Sequence, residues 1–294
     1  MHASAAPGNR LRVGADRPGR VTVVVISRNR RDDLLTTLPR HDAPVILVDN
    51  ASTDGTAEAV ADRLPQVRVV RLAHNLGAPA RNIGVELAQT PYVAFADDDS
   101  WWDPAGLRRA EQLFDGHPRL GLVAARILVG PEQRLDPVCA EMSESPLPPD
   151  GVPGRPVLGF IACGAVVRRE AFLQVGGFDE VVFFPGEEER VAVDLAAAGW
   201  HLTYAEAVVA HHHPSTRRGT DRRRRRLIAR NHLLTAVMRR PWRVVGRRAV
   251  HALAGGIPEA RGAVAAVPRL PGALGARRRL PEDVERRLAL LESG

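Results

Sequence analysis

Four short strand-like runs, apolar at residues 21–26, 45–48 and 92–96 and mixed at 67–72, are separated by segments that read as helices. The first, Val21-Thr22-Val23-Val24-Val25-Ile26, is almost continuously β-branched. Such a run suits a strand buried on both faces, the environment inside a parallel sheet. Asp32 offers a cap for a helix through Leu34, Leu35 and Leu38, and a second helix follows over 56–64 with Glu58 in its first turn. Strand followed by helix, repeated in this way, restricts the chain to βα units on a parallel sheet. Ligands of such sheets bind beyond the carboxyl ends of the strands.

The residues at those ends are polar. The first strand runs into Ser27-Arg28-Asn29-Arg30, the second into Asp49 and on to Asp54-Gly55-Thr56, and the third through Asn75-Leu76-Gly77 into a helix carrying Arg81, Asn82 and Gly84. The fourth ends in Asp97-Asp98-Asp99. Three adjacent carboxylates repel one another unless a cation or hydrogen-bond donors sit among them. A hard divalent ion, Mg2+ or Mn2+, takes oxygen ligands and keeps positions open for phosphates. Taken alone, the triplet could equally be an acidic turn in water. With Ser27, Arg28 and Asp49 at neighbouring strand ends, it points to a nucleotide site with a metal side.

Farther along, 103–114 reads as a helix with Pro104 near its start, and 120–129 as a strand. The segment 130–156, rich in Pro and acids, is expected to be a long loop at the site mouth, and 157–167 a strand pair or one bent strand. Glu187, Glu188 and Glu189 open a helix that ends at Gly199, where the helix dipole favours acids in any case. A strand over 208–211 ends in His211-His212-His213. Two acid clusters and an imidazole at the ends of successive elements suit a metal centre with a general base.

The 294 residues suffice for one large domain with an appendage. The predicted organisation is a loose tail over 1–20, an α/β domain over 21–214 with a nucleotide-binding half (21–102) and an acceptor half (103–214), and a basic, mainly helical region over 215–294. Cys139 and Cys163 stand at no metal-ligand or redox spacing, which favours a reducing, cytoplasmic setting. No run is long and apolar enough to span a bilayer or to act as a secretory signal. The net charge is +7, carried entirely by arginine on the basic side, and concentrated after Pro214. A basic amphipathic segment of that kind can lie peripherally on the inner face of an anionic membrane, or can be a solvated arginine face. Without interleaved aromatics or a reading motif it does not suit nucleic acid. A nucleotidyltransferase would call for a glycine-rich loop after the first strand, and 27–31 has no glycine.

The motifs Val48-Asp49-Asn50-Ala51-Ser52-Thr53-Asp54-Gly55-Thr56, Asn75-Leu76-Gly77 with Ala80-Arg81-Asn82, Phe95-Ala96-Asp97-Asp98-Asp99, Val175-Gly176-Gly177-Phe178-Asp179-Glu180, Gly186-Glu187-Glu188 and His211 occur in the order found in the family 2 glycosyltransferases, which this chain resembles over about 21–214. The resemblance implies a GT-A-type fold, a Rossmann-like mixed sheet flanked by helices, and sugar transfer from a nucleoside-diphosphate sugar with inversion and a divalent ion. It places Asp49, Ser27 and Arg28 at the nucleotide base, Arg81 at the nucleotide or its phosphates, and Asp97 and Asp98 toward the ribose. Asp99 and His211 fall on the metal side. Glu188 stands where the family has the Asp of a Glu-Asp pair that supplies the base, so Glu187 and Glu188 are both candidates. The acceptor implied is a lipid-linked glycan, a polysaccharide, a protein or a small metabolite, and a member that binds donor without catalysing transfer is the alternative.

Overall fold

The computed structural model describes residues 19–214 and 221–293. Most of the expected N-terminal tail, and the first arginines after Pro214, lie outside them. The nucleotide half alternates as its sequence predicts: β1 (Val21–Ser27), α1 (Arg31–Thr37), β2 (Val45–Asp49), α2 (Thr56–Arg63), β3 (Arg68–Arg71), α3 (Ala80–Leu87) and β4 (Tyr92–Ala96). These four strands lie side by side in the order β3-β2-β1-β4, all parallel. The chain thus reverses its direction of travel across the sheet at β1, and the gap between the ends of β1 and β4 is the switch point where such sheets bind ligands. Every residue of β2 and β4 is buried, as a doubly covered strand requires.

The sheet continues beyond β4 as a mixed one. The later elements are β5 (Ser100–Trp102), α4 (Pro104–Gly116), β6 (Leu120–Val129), β7 (Arg134–Leu135), α5 (Pro137–Ser143), β8 (Arg155–Pro156), β9 (Ala165–Arg168), α6 (Arg169–Gln174), α7 (Glu188–Ala197) and β10 (His201–His212). The order runs on from β4 through β9, β6 and β10 to β5, with β9 antiparallel to both its neighbours and β6 parallel to β10. This is the mixed, GT-A-type α/β sheet that the motifs imply.

Two stretches fold differently from their expectation. The supposed long loop over 130–156 contains β7, α5 and β8: Asp136 caps α5 through the Val138 amide (2.9 Å), and Cys139 is buried, its thiol taking the Ile127 amide (3.3 Å). Capping and one buried thiol suffice to order a short helix that its Pro content disguises. Conversely, only the last three residues of the 157–167 run, Ala165, Val166 and Val167, are strand, in β9; Val157, Leu158 and Phe160 are core residues on irregular backbone that turns through Ala162–Gly164. Apolar composition reported burial there, not pairing.

The C-terminal region is helical: α8 (Asp221–Arg239), α9 (Trp242–Ala254), α10 (Ile257–Ala266), α11 (Leu270–Gly275) and α12 (Glu282–Ser293). Helices α8 to α11 share a small core of their own, built on Val182, Leu234, Val237, Met238, Ala252 and Ala266. Helix α12 instead returns to the main core with Val284 and Leu288. Among the described residues no helix is long and apolar enough to cross a membrane.

Candidate active site

The depth of the site is set by α3. Gly84 lies directly on β1, where an added Cβ would come within 2.3 Å of Val24. This close seat brings Arg81, one turn earlier, under the end of β4. Arg81 is 1% exposed; its Nη2 donates to Asp97 Oδ1 at 2.6 Å and its Nη1 to Glu187 Oε1 at 3.3 Å. The Phe178 ring lies 5.5 Å from the guanidinium carbon. Burial works against the arginine charge, but Asp97, Glu187 and Glu188 together hold its pKa above the ordinary value. The next residue, Asn82, clamps the Gly176-Gly177-Phe178 turn, donating to the Phe178 carbonyl (2.8 Å) and accepting its amide (2.9 Å). One helix thus ties the first acid cluster to the second.

The acid triplet divides by direction. Asp97 faces Arg81, and its amide is bound by the Ser100 hydroxyl (2.8 Å). Asp98 turns to the loop after β1: Ser27 Oγ donates to it at 3.0 Å, and Arg30 lies 4.0 Å away. Burial, then the charges of Asp97 and Asp99, push the Asp98 carboxyl up to about 7. Asp99 turns to the end of β10, where His212 Nε2 is 3.3 Å from its Oδ1 and the His213 amide donates to its carbonyl (2.8 Å).

His212, rather than His211, therefore stands beside Asp99. β5 and β10 are antiparallel, with His211 opposite Trp101 and His212 opposite Ser100. Paired residues share a face and successive residues alternate. His211 accordingly stacks on the Trp101 ring (5.2 Å, 12°), on the face opposite the acid triplet, and burial lowers its pKa. Arg40 covers the same indole at 4.1 Å.

At the end of β2, Asp49 is fully buried. One of its oxygens takes the Ser52 amide (3.2 Å), and the other is buried with no hydrogen-bond partner, an arrangement that calls for a donor from a ligand. Asn50 fixes the neighbouring loop through the Leu76 amide (2.7 Å) and the Gly77 carbonyl (3.0 Å). Ser27 is buried between these groups and the triplet, and Arg28 is exposed at the lip.

The glutamates at the start of α7 have three different environments. Glu187 is 1% exposed and held by Arg81; burial, then the like charge of Glu188, keep it well above the usual glutamate range. Glu188 is half-buried, also raised by burial, with backbone donors including the Ala162 amide pulling the other way. Glu189 is bound from outside by Arg248 at 2.7 Å. Among the described residues no three His, Cys, Asp or Glu side chains form a metal cage. Asp99 with His212 is one carboxylate and one imidazole, a set that would leave most positions of a divalent ion to phosphate oxygens and water.

The family model for glycosyl transferase family 2 matches residues 22–176, the span that carries β1 to β9. The chain belongs to glycosyl transferase family 2. This glycosyltransferase is 29% identical over 214 residues, 60% of its length and 69% of the other's, to the N-acetylglucosaminyl-diphospho-decaprenol L-rhamnosyltransferase of Mycobacterium tuberculosis. It is 30% identical to the pre-mycofactocin glycosyltransferase of the same organism, over 65% of this chain and 42% of that one. In fold it resembles the mannosyltransferase PcManGT from Pyrobaculum calidifontis in complex with GDP-Man and Mn2+, with a TM-score of 0.53 at 20% identity, covering 94% of this chain and 75% of that one.

Proposed function

We propose that this family 2 glycosyltransferase moves a sugar from a nucleoside-diphosphate sugar to an acceptor hydroxyl in one inverting displacement, with Glu188 as general base. The observation that carries this reading is the unequal state of the glutamate pair. Glu187 is sealed against Arg81 and is already an acceptor for its guanidinium, whereas Glu188 keeps some access to solvent and its burial raises its proton affinity. A base must both reach the hydroxyl and hold its proton. Glu187, with Arg81, positions the start of α7.

The nucleotide lies across the ends of β1, β2 and β4. Asp49 offers its unpartnered oxygen to an N–H of the base, Ser27 and Arg28 line the base, and Asp97 and Asp98 face the ribose. Asp99 and His212 would hold a divalent ion, Mn2+ or Mg2+, which neutralises charge on the leaving diphosphate. In support, a structural neighbour was solved with GDP-Man and Mn2+. The acceptor proposed is a lipid-linked glycan, the class of acceptor in the name of the rhamnosyltransferase relative. Such an acceptor would bring the enzyme to a membrane surface.

Calorimetry with nucleoside diphosphates and nucleotide sugars, with and without Mn2+, tests the donor site. Binding that needs both diphosphate and metal, and that weakens in Asp99→Asn, is expected. Metal-independent binding, or an unchanged affinity in Asp99→Asn, would remove the metal from this reading.

A further inference from the structure

Helices α8 to α10 expose a face that their own core does not use. Trp242, Val250, Leu253, Ile257, Val264 and Val267 are each between 59% and 71% exposed. On α10 the exposed residues Ile257, Arg261 and Val264 recur at spacings of four and three, so they form one stripe. Trp242, Gly246, Val250 and Leu253 make the corresponding stripe on α9, flanked by exposed Arg243 and Arg247. The stripes meet in an open groove of about 460 Å³ lined by Arg226, Leu253, Arg261 and Val264. Between Asp221 and Gly275 there are thirteen arginines and two acids, Asp221 and Glu259. The arginines that face inward are occupied: Arg239 with Asp194, Arg240 with Glu285, Arg248 with Glu189. At the rim of the stripes, Arg222, Arg226, Arg243 and Arg261 are exposed; Arg247 is exposed too but is already paired with Glu292.

We infer that the α9–α10 face docks this enzyme on an anionic phospholipid bilayer, with the apolar stripes entering the headgroup boundary and the rim arginines paired with lipid phosphates. Scattered exposed apolar residues are ordinary, but two helical stripes joined across a groove and ringed by cations match an interfacial helix face. The charge selects the partner. A second copy of the chain would bring one set of rim arginines against another, whereas an anionic leaflet supplies the opposite sign across the whole surface. This inference deepens the proposed use of a lipid-linked acceptor, yet it rests on the helical layer alone.

Flotation of the full chain with phosphatidylcholine vesicles, with and without phosphatidylglycerol, tests it. The protein should float with the phosphatidylglycerol vesicles and detach as salt is raised. The double variant Leu253→Glu, Val264→Glu should lose about tenfold or more of its vesicle partitioning, while its circular dichroism and its calorimetric response to nucleoside diphosphate with Mn2+ stay as in the parent. No flotation, equal flotation of the variant, or equal binding to uncharged vesicles would overturn the inference. So would a stable dimer in sedimentation that the double variant converts to monomer, since the face would then belong to a second copy. Diphosphate binding reads the sheet end and flotation reads the helices, so either proposal can fail without the other.

Discussion

The carboxyl end of the sheet and the helical layer of α8 to α11 are opposite in charge and solve opposite problems. At the sheet end the buried guanidinium of Arg81 serves Asp97 and Glu187, while Asp98 leans on the Ser27 hydroxyl with Arg30 nearby and Asp99 on an imidazole. In the helical layer cations outnumber acids, and its inner arginines reach out to acids of the transferase domain: Arg239 to Asp194, Arg248 to Glu189. Each region is therefore short of counter-charge in its own way. The acidic end suits a cation and the basic layer an anion, and the two are stitched where their deficits meet, along α7.

The difference can be broken at its most buried point first. Arg81→Ala leaves Asp97 and Glu187 facing each other at the base of the site, and should cost about 3–5 kcal/mol of stability in urea denaturation, the usual range for stranding one partner of a buried ion pair. A loss under about 1 kcal/mol would mean that the pair is screened rather than buried. Next in size, Glu188→Gln should lower kcat by about 10²- to 10⁴-fold with nucleotide binding by calorimetry unchanged; a variant with normal turnover would hand the base role to Glu187. The proposed base must be ionised to accept the proton, and burial raises the Glu188 pKa, so on this proposal kcat/KM should fall on the acid side at a pH above the ordinary glutamate value of 4.5. An acid limb at or below that value would contradict the assignment.

The seam between the two regions comes third. Arg239 is bound to Asp194 through Nη2 (2.9 Å) and Nε, while Arg190 holds the same carboxylate at 2.6 Å. Arg239→Ala should cost about 1.5–3 kcal/mol, the worth of charged hydrogen bonds with one partner kept. Smallest of all, Arg243→Ala on the exposed rim should change stability by less than about 0.5 kcal/mol, and would show itself only in flotation. If Arg243→Ala destabilised the fold as much as Arg239→Ala, the division into inner and rim arginines would be wrong.

The parallel half was legible because its inner strands β1, β2 and β4 are buried on both faces, and such strands write themselves as unbroken apolar runs, 21–26 being the plainest case; the edge strand β3, with Arg68 and Arg71 exposed, was placed by the alternation alone. The ends of those strands were legible for the same reason, since a polar residue that interrupts an apolar run has few places to go but the sheet edge. What composition could not show was direction. His211 and His212 are alike in sequence, and only the pairing with Trp101 and Ser100 decides which of them meets Asp99. Likewise three consecutive glutamates read as one dipole-stabilised cluster, yet Arg81 and Arg248, more than a hundred and about sixty residues away by roughly counting along the chain, give them separate environments. Pairings this distant leave no local signal. The order within 130–156 was hidden for a different reason: α5 depends on a cap and one buried thiol, neither of which raises the apolar periodicity that marks longer helices.

The seat of α3 on β1 has a consequence for catalysis that lies outside any polar contact. Because Gly84 has no side chain, the helix axis settles against Val24, and the guanidinium one turn away inherits its depth from that contact. Gly84 is in effect a spacer that calibrates how strongly Arg81 attracts Asp97 and Glu187. Gly84→Ala adds one methyl group and no charge, yet by lifting α3 it should loosen that attraction and displace the acid limb of the rate profile. A steric dimension in the core would then be read out as a proton affinity at the surface of the substrate.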